Sequence, residues 1–399
     1  MMQKLVLAYS GGLDTSYCAI YLSKELGYEV HAITVNTGGF NDEDIKGIEK
    51  RALELGVSSY TCVNAVESYY DSCVKYLIYG NVLKNHTYPL SVSAERTIQA
   101  QEIANYANQI NADAIAHGST GAGNDQVRFD VIFHILCPQI DIITPIRDLK
   151  LSREAEIAYL KANGVDMDFE KAAYSVNKGL WGTSVGGKET LTSHQNLPEE
   201  AFTNQLQKSI NDQQDIALHF KKGELIGVNN KEFSHPTQAI QYLETLAAPF
   251  AIGRDIHVGD TIVGIKGRVG FEAAAALITI KAHHLLEKHT LSKFQLQVKT
   301  QLAENYGTWL HEALFLDPVM RDMEAFLNAS QNTVNGTVFV TLKPYRFILN
   351  GISSPNDLMA SKYGSYGEMN LAWSGDDVKG YSKIVSNSLK IYHQINQSY

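Results

Sequence analysis

A stretch of nine residues near the N-terminus has the composition of an anion-binding turn. It reads Ala-Tyr-Ser-Gly-Gly-Leu-Asp-Thr-Ser over residues 8–16, between a short apolar run and a segment with helical spacing of apolar residues. Its two glycines let the backbone approach a ligand closely, and the N–H groups at the start of a helix lack internal partners and attract anions. Hydroxyls of Ser10, Thr15 and Ser16 add donors, so the turn is predicted to bind phosphate.

Asp14 is the unusual member of this turn, because a carboxylate repels phosphate. It is predicted either to hold a Mg²⁺ ion that bridges to the phosphates or to cap and order the turn. The turn contains no lysine, which distinguishes it from the Walker loop that grips a β,γ-phosphate. The alternative is an ordinary strand–turn–helix junction in which Asp14 and Thr15 are caps.

A second glycine-rich loop carries side chains suited to amino-acid ligands. Residues 117–129 read His-Gly-Ser-Thr-Gly-Ala-Gly-Asn-Asp-Gln-Val-Arg-Phe. Thr120 and Asn124 offer neutral hydrogen bonds, while Arg128 suits a carboxylate and Asp125 an ammonium group. The alternative is a flexible loop with a structural Asp125–Arg128 pair three residues apart at a helix start.

Together these two stretches resemble the argininosuccinate synthase family of ATP pyrophosphatases, which cleave ATP between the α and β phosphates. The resemblance extends over nearly the whole chain, including residues 251–255, 264–268 and 271–273. It implies a C–N-bond-forming ligase of arginine biosynthesis that joins L-citrulline to L-aspartate through citrullyl-AMP and releases AMP and pyrophosphate. ATP and Mg²⁺ are the implied cofactors, and the family is typically tetrameric.

The resemblance also implies binding roles for individual residues. ATP is expected to contact Ala8, Tyr9, Ser10, Gly11, Gly12, Leu13, Asp14, Thr15, Ser16, Val35 and Gly118. Aspartate is expected to contact Thr120, Asn124 and Asp125, and citrulline Tyr88, Ser93, Asn124, Arg128, Ser175 and Ser184. Asp14 and Asp125 are the candidate catalytic residues. No dedicated set of protein metal ligands is predicted, and Asp14 is the one candidate contact for Mg²⁺.

Two positions depart from the family pattern in the second half of the chain. A Glu and a Tyr, twelve residues apart, usually help to hold citrulline, and Gly259 and Phe271 stand at those places here. Ala122 stands in the glycine loop where Lys is common. The acids that could compensate for the missing Glu are Asp255, Asp260 and Glu272.

The elements that must position these residues follow an alternating pattern in the first part of the chain. The sequence predicts strands at 4–9, 29–35, 59–63, 112–117 and 140–145, and helices at 15–25, 42–55, 66–83 and 94–109. Such alternation is typical of an α/β fold with a doubly wound parallel sheet, and the family resemblance implies a sheet of the adenine nucleotide alpha hydrolase type. Ligands bind such sheets beyond the carboxyl ends of the strands, so both glycine turns are expected at one edge.

From about residue 170 the pattern becomes α+β. Paired strands are predicted within 215–228 and 337–349, and helices at 237–247, 273–287 and 317–329. The tail at 376–397 is a helical run without a core of its own, predicted to pack on a neighbouring subunit. The predicted domains are a nucleotide-binding domain at 1–168, a synthetase domain at 169–375 and the tail at 376–399.

Composition argues against several classes of partner. The formal net charge of −9 argues against a broad nucleic-acid surface. Four scattered cysteines form neither a zinc nor a disulfide pattern and fit a reducing cytosol. No apolar run is long enough to cross a bilayer and no signal peptide is recognised, so a cytoplasmic enzyme is expected.

Two other patterns are interpreted as coincidental. Residues 182–188 fit G-x-x-x-x-G-K, but Glu189 follows where a Walker loop needs Ser or Thr. His283, His284 and His289 lack metal-ligand spacing and are predicted to be surface or capping residues. The competing functions are another adenylating enzyme such as a GMP or NAD synthetase, a tRNA-thiolating enzyme, and a non-catalytic nucleotide-binding protein.

Overall fold

The computed structural model of the chain describes residues 2–165, 174–364, 366–367 and 372–397. Within them lie one parallel and two antiparallel sheets. The parallel sheet has the strand order β3-β2-β1-β4-β5. Its strands are β1 Lys4–Ala8, β2 Glu29–Asn36, β3 Ser59–Asn64, β4 Ala114–Ala116 and β5 Asp141–Ile143.

This order confirms the doubly wound fold. The chain moves outward from β1 to β3 on one side and then returns to place β4 on the other side of β1. The carboxyl ends of β1 and β4 are therefore adjacent at the point where the strand order reverses, which is where such sheets bind ligands. The two glycine-rich turns leave these two ends, so they lie at the same edge, as expected.

Helices cover the parallel sheet. They are α1 Leu13–Ile20, α2 Asp42–Glu54, α3 Val66–Tyr69, α4 Lys75–Tyr79, α5 Ser91–Gln109, α6 Asp125–Leu136, α7 Pro145–Asp148 and α8 Arg153–Ala162. A π-helical turn at Tyr21–Glu25 extends α1, and another at Tyr70–Val74 joins α3 to α4. The helix predicted to reach residue 83 ends at Tyr79, because Gly80 caps it and Asn81 has a left-handed φ of 51°.

The rest of the described chain contains two antiparallel sheets, ordered β10-β9-β8-β13-β14 and β11-β12-β7-β6. Their strands are β6 Ser175–Gly179, β7 Gly182–Gly186, β8 Gln214–Lys221, β9 Glu224–Val228, β10 Lys231–Glu232, β11 Arg254–Asp260, β12 Lys266–Glu272, β13 Gly336–Lys343 and β14 Arg346–Ser353. The helices are α9 Pro236–Ala247, α10 Ala274–Thr290, α11 Lys293–His311, α12 Pro318–Ser330, α13 Gly375–Val385 and α14 Asn387–Asn396.

The hairpins β8–β9 and β13–β14 match the predicted strand pairs, but the four-stranded sheet was not predicted. Its strands are short and rich in glycine and polar residues, so they show little of the apolar alternation that identifies a strand. One apolar core joins the two halves, since it includes Val6 and Leu77 as well as Leu286, Leu327 and Val340.

Neither coincidental pattern forms the phosphate loop or the metal site that it resembles. Residues 182–186 form β7, rather than the phosphate loop that follows a strand. Among the three histidines, the surface prediction was wrong for His283, which is fully buried and hydrogen-bonded to Asn81 and Gln331. In the described part of the chain, no cluster of three or more His, Cys, Asp or Glu side chains could hold a metal, and no helix has the length and hydropathy to cross a membrane.

Candidate active site

A cavity of about 870 Å³ opens where β1, β2 and β4 end and extends to the four-stranded sheet. Every residue assigned a binding role from the sequence lines it, except Gly11 and Ser16. The lining therefore includes both glycine turns, the predicted citrulline contacts on α5 and α6, and Ser175 and Ser184 on the four-stranded sheet. Residues from both halves of the chain converge on one space.

The turn at residues 10–16 presents an uncapped helix N-terminus to this cavity. No side chain caps α1 at Gly12, so the first N–H groups of the helix are available to an anion. Gly11 adopts a φ of 75°, and Arg51 Nη1 donates to its carbonyl oxygen at 2.7 Å. This explains why Gly11 does not line the cavity: its role is to shape the turn. Ser16 is fully buried behind the helix start.

The second glycine loop lies against the first. A side-chain carbon at Gly118 would lie 3.2 Å from the backbone of Asp14, so the close approach of the two loops depends on glycine. His117 is buried and its Nε2 bonds Asp130 Oδ1 at 2.9 Å, which anchors the start of the loop. Further along, Asn124 Oδ1 accepts from the N–H of Ile262 at 2.8 Å, tying the loop to the second half of the chain.

Asp125 lies between two guanidinium groups. Its Oδ1 accepts from Arg128 Nη1 at 2.8 Å and its Oδ2 from Arg96 Nε at 2.9 Å. Burial raises the pKa of Asp125, but the charges and hydrogen bonds of the two arginines outweigh it and hold that pKa below its ordinary value. Asp125 is consequently an ionised carboxylate that orients Arg128.

Arg128 is held on its other side by His311, at the end of α11. Arg128 Nε and Nη2 each lie 3.2 Å from the backbone oxygen of His311, and Nη2 also lies 3.2 Å from its Nδ1. The same Nδ1 lies 3.0 Å from Ser93 Oγ. Burial and then the charge of Arg128 lower the pKa of His311 to about 2, so its imidazole is neutral and can accept hydrogen bonds.

Ser175 and Ser184 share one face of the four-stranded sheet. Ser184 on β7 is paired with Asn177 on β6, two residues from Ser175, and residues two apart along a strand point to the same side. Asn177 Oδ1 accepts from Arg96 Nη2 at 2.7 Å. This contact links the serine-bearing face to the Asp125–arginine cluster.

A second carboxyl group lies beside Asp14. Glu156 on α8 is buried, and burial followed by the charge of Asp14 raises its pKa to about 8. Glu156 is therefore a protonated carboxyl group at neutral pH beside the Asp14 side chain. The oxygen donors of Asp14, which lines the cavity, suit Mg²⁺.

Several residues that line the cavity were not predicted from the sequence. Arg96 and Glu95 stood in the same segment as the predicted Tyr88 and Ser93, and a charged pair beside predicted ligands was the signal that could have found them. His257 and His311 had no such signal. They lie on β11 and at the end of α11, and only tertiary packing brings them to the cavity.

The positions of the two family departures are also resolved. Gly259 lines the cavity, whereas Phe271 is fully buried and packs on Tyr88 with ring centroids 5.4 Å apart. Of the three acids considered as substitutes, only Asp260 lines the cavity, and its carboxylate pairs with Lys266 at 2.6 Å. Glu272 is buried and bonded to Arg254.

Comparison with known proteins agrees with this geometry. The model of the arginosuccinate synthase N-terminal HUP domain matches residues 4–166, and that of the arginosuccinate synthase C-terminal domain matches residues 174–392. Curated relatives named argininosuccinate synthase include one from Methanocaldococcus jannaschii, 34% identical over 91% of each chain. Those from Xylella fastidiosa and Prochlorococcus marinus are 34% and 35% identical, each over 99% of this chain and 98% of the relative.

Proposed function

The chain belongs to the argininosuccinate synthase family, and from that premise we propose which of its residues carry out the reaction. The reaction is the ATP-dependent ligation of L-citrulline and L-aspartate through citrullyl-AMP, giving argininosuccinate, AMP and pyrophosphate. The observation that carries the residue assignment is the convergence of both glycine turns and the Arg96–Asp125–Arg128 cluster in one cavity.

ATP is assigned to the edge of the parallel sheet, with its phosphates at the start of α1. The uncapped N–H groups there and the hydroxyls of Ser10 and Thr15 favour a pyrophosphate that carries several negative charges. Val35 at the end of β2 and Gly118 line the same part of the cavity and are assigned to the nucleotide. Gly11 and Ser16 shape the turn from behind.

Mg²⁺ is assigned to the phosphates, with Asp14 as its protein contact. Mg²⁺ commonly binds substrate phosphates through one or two protein carboxylates, and the side chain of Asp14 lines the cavity beside the start of α1. When bound, the ion would neutralise charge on the departing pyrophosphate. Asp14 would hold it at the helix N-terminus.

The amino acids are assigned to the cluster around Asp125. Arg128, oriented by Asp125 and His311, is assigned to a substrate carboxylate, which its positive charge and the remaining N–H of Nη1 can hold. Tyr88, Ser93, Ser175 and Ser184 line the citrulline side. Thr120 and Asn124, with Asp125, are assigned to aspartate.

The protein's contribution to the chemistry is positioning and charge stabilisation. In the first step the ureido oxygen of citrulline attacks the α-phosphorus and pyrophosphate leaves. In the second the aspartate amine displaces AMP. Asp125 is assigned an orienting role rather than proton transfer, because both its oxygens are bonded to arginines and its pKa is lowered.

Three further assignments rest on the family. We propose a homotetramer, a cytoplasmic location, and a division into residues 1–168, 169–375 and a tail at 376–399. The match of the C-terminal family model up to residue 392 fits a tail that belongs to the synthetase half.

Pyrophosphate release from ATP and Mg²⁺ tests the proposed function, with citrulline and aspartate added singly and together. Release that requires citrulline, with AMP and argininosuccinate accumulating only when aspartate is present, is the expected result. Release with a different acceptor but not with citrulline would keep the nucleotide site and overturn the amino-acid assignment. ATP binding without turnover for any acceptor would support the non-catalytic alternative.

A further inference from the structure

His257 is a buried cavity residue whose hydrogen-bonding capacity the protein does not use. It is 6% exposed and lines the cavity, and its Nδ1 has no hydrogen-bond partner among the described residues. A buried polar atom without a partner costs roughly 1–3 kcal/mol. Because Nδ1 itself is shielded from solvent, a ligand in the cavity would meet the imidazole at Nε2, which lies beside Gly259, another lining residue.

The imidazole occupies a fixed place. Its ring stacks on Tyr88 with centroids 5.2 Å apart and an interplanar angle of 27°. A side-chain carbon at Gly259, two residues along β11, would lie 2.5 Å from His257 Nε2. The imidazole thus fills the volume that any side chain at 259 would need, and the glycine makes room for it.

Among the described residues, the carboxylates that line the cavity on the His257 side are already engaged. Asp125 is bonded to two arginines and is assigned to aspartate, and Asp260 is exposed and paired with Lys266. The nearby titratable groups are otherwise basic: burial and then the charge of Lys84 lower the pKa of His257, and Lys84 and His257 both lower that of His311. His257 is accordingly a neutral imidazole, which can accept one hydrogen bond and donate another.

We propose that His257 binds the ureido substrate, and that its ring nitrogen accepts a hydrogen bond from the substrate's α-amino group where no carboxylate is available. This rests on the proposed function, in which Arg128 grips the carboxylate on the same carbon atom. Tyr88 lies in the same cavity wall as both, since its ring stacks on His257 and it lines the cavity with Arg128. His257 and Gly259 together then determine specificity at the α-amino group.

If the acceptor is a neutral imidazole, the enzyme should discriminate only weakly between a substrate that carries the α-ammonium group and one that lacks it. Losing a hydrogen bond between an ammonium group and a neutral acceptor costs about tenfold in affinity, whereas losing an ion pair in a partly buried site costs considerably more. The unsubstituted enzyme is therefore expected to prefer citrulline over 5-ureidopentanoate, which lacks the α-amine, by only about tenfold in kcat/KM.

The test measures pyrophosphate release with these two substrates at saturating ATP, Mg²⁺ and aspartate. His257→Phe keeps a ring over Tyr88 but removes the nitrogen, so the KM for citrulline should rise about tenfold with kcat nearly unchanged, and the preference over 5-ureidopentanoate should vanish. His257→Gln, which restores an acceptor, should recover part of the affinity. The double variant His257→Ala/Gly259→Glu should raise the preference for citrulline at least tenfold above that of the unsubstituted enzyme.

His134→Phe, on the exposed side of α6, is the matched control and should leave both constants unchanged. A folded, active His257→Phe variant that keeps the KM for citrulline and the same preference would overturn the role of His257. If the unsubstituted enzyme released no pyrophosphate with citrulline and aspartate, the proposed function itself would fail, and the two failures are thereby distinguished.

Discussion

Asp14 is an acidic residue at the start of a helix that is proposed to bind phosphate. It lines the cavity beside the proposed phosphate site and lies next to buried Glu156. If it holds Mg²⁺ against pyrophosphate, Asp14→Asn should lower kcat at least about 100-fold while the thermal midpoint changes little. Asp42→Asn, an exposed acid in the first turn of α2, is the control. Near-normal turnover would remove Asp14 from the mechanism.

The proposed role of Arg128 requires a guanidinium group at this position. It bonds Asp125 through Nη1 and His311 through Nε and Nη2, so these contacts fix the plane of the guanidinium and leave one N–H of Nη1 for a ligand. Arg128→Lys keeps the charge but cannot reproduce these contacts. We expect the KM for citrulline to rise about tenfold or more. An unchanged KM would contradict its assignment to the substrate carboxylate.

Glu95 makes stability depend on pH. Burial, opposed by Arg96 and Thr37, raises its pKa from 4.5 to about 7. Between these values the folded state binds more protons than the unfolded state, so this carboxyl group's contribution to stability falls as pH rises from 4.5 to 7 and is lost above it. Between pH 6 and pH 8 the unfolding free energy of the unsubstituted protein should therefore fall by about 1 kcal/mol more than that of the Glu95→Gln variant.

Denaturant unfolding at the two pH values measures this effect. Glu67→Gln removes an exposed carboxyl group on α3 and should leave the pH dependence as it is in the unsubstituted protein. Equal pH dependence in Glu95→Gln and the unsubstituted protein would show that Glu95 has an ordinary pKa.

At the scale of elements, the loop after β2 positions strand β6. A side-chain carbon at Gly39 would overlap the carbonyl of Lys178 on β6, the strand that carries Ser175 and Asn177. Gly39→Ala should displace β6, lower the unfolding free energy by about 1–3 kcal/mol and raise the KM for citrulline. Urea unfolding and steady-state kinetics measure the two effects.

Gly47 provides the matched control, because it lies in α2 with open space around it. Gly47→Ala should stabilise the protein by about 0.5–1 kcal/mol, the difference in helix propensity, without changing the KM. If both alanine variants behaved alike, the contact between this loop and β6 would have no energetic consequence.

The elements also show which parts of the fold were predictable. The strands of the parallel sheet and its helices were located closely, because buried parallel strands are short apolar runs separated by helical periods. Strands β6, β7, β11 and β12 were missed. Their stability comes from pairing with one another and from packing beside α5 and α10, which leaves no local signal in the sequence.

At the scale of the whole molecule, helices α13 and α14 contain no buried residue. Val378, Tyr381 and Val385 repeat at helical spacing and are exposed, as are Leu389 and Tyr392 on the next helix. An exposed apolar stripe of this kind commonly marks an interface. We expect Tyr381→Asp combined with Leu389→Asp to lower the molar mass measured by light scattering.

The control for this prediction is Lys390→Asp, which introduces the same charge on α14 outside the apolar stripe. It should leave the mass unchanged. If the double variant and the unsubstituted protein had the same mass at all concentrations, the tail would not take part in assembly.

The sequence by itself determined the nucleotide turn, the second glycine loop and the parallel sheet that brings them to one edge. These depend on local requirements, namely glycine where the backbone must turn or approach closely, and periodicity along each element. Only the tertiary structure decided how Arg128 and the cavity wall are completed. His311 lies 183 positions from Arg128 along the chain. His257 packs on Tyr88 from strand β11 of the four-stranded sheet. Such contacts arise because one core packs the two halves together, and no local pattern encodes them.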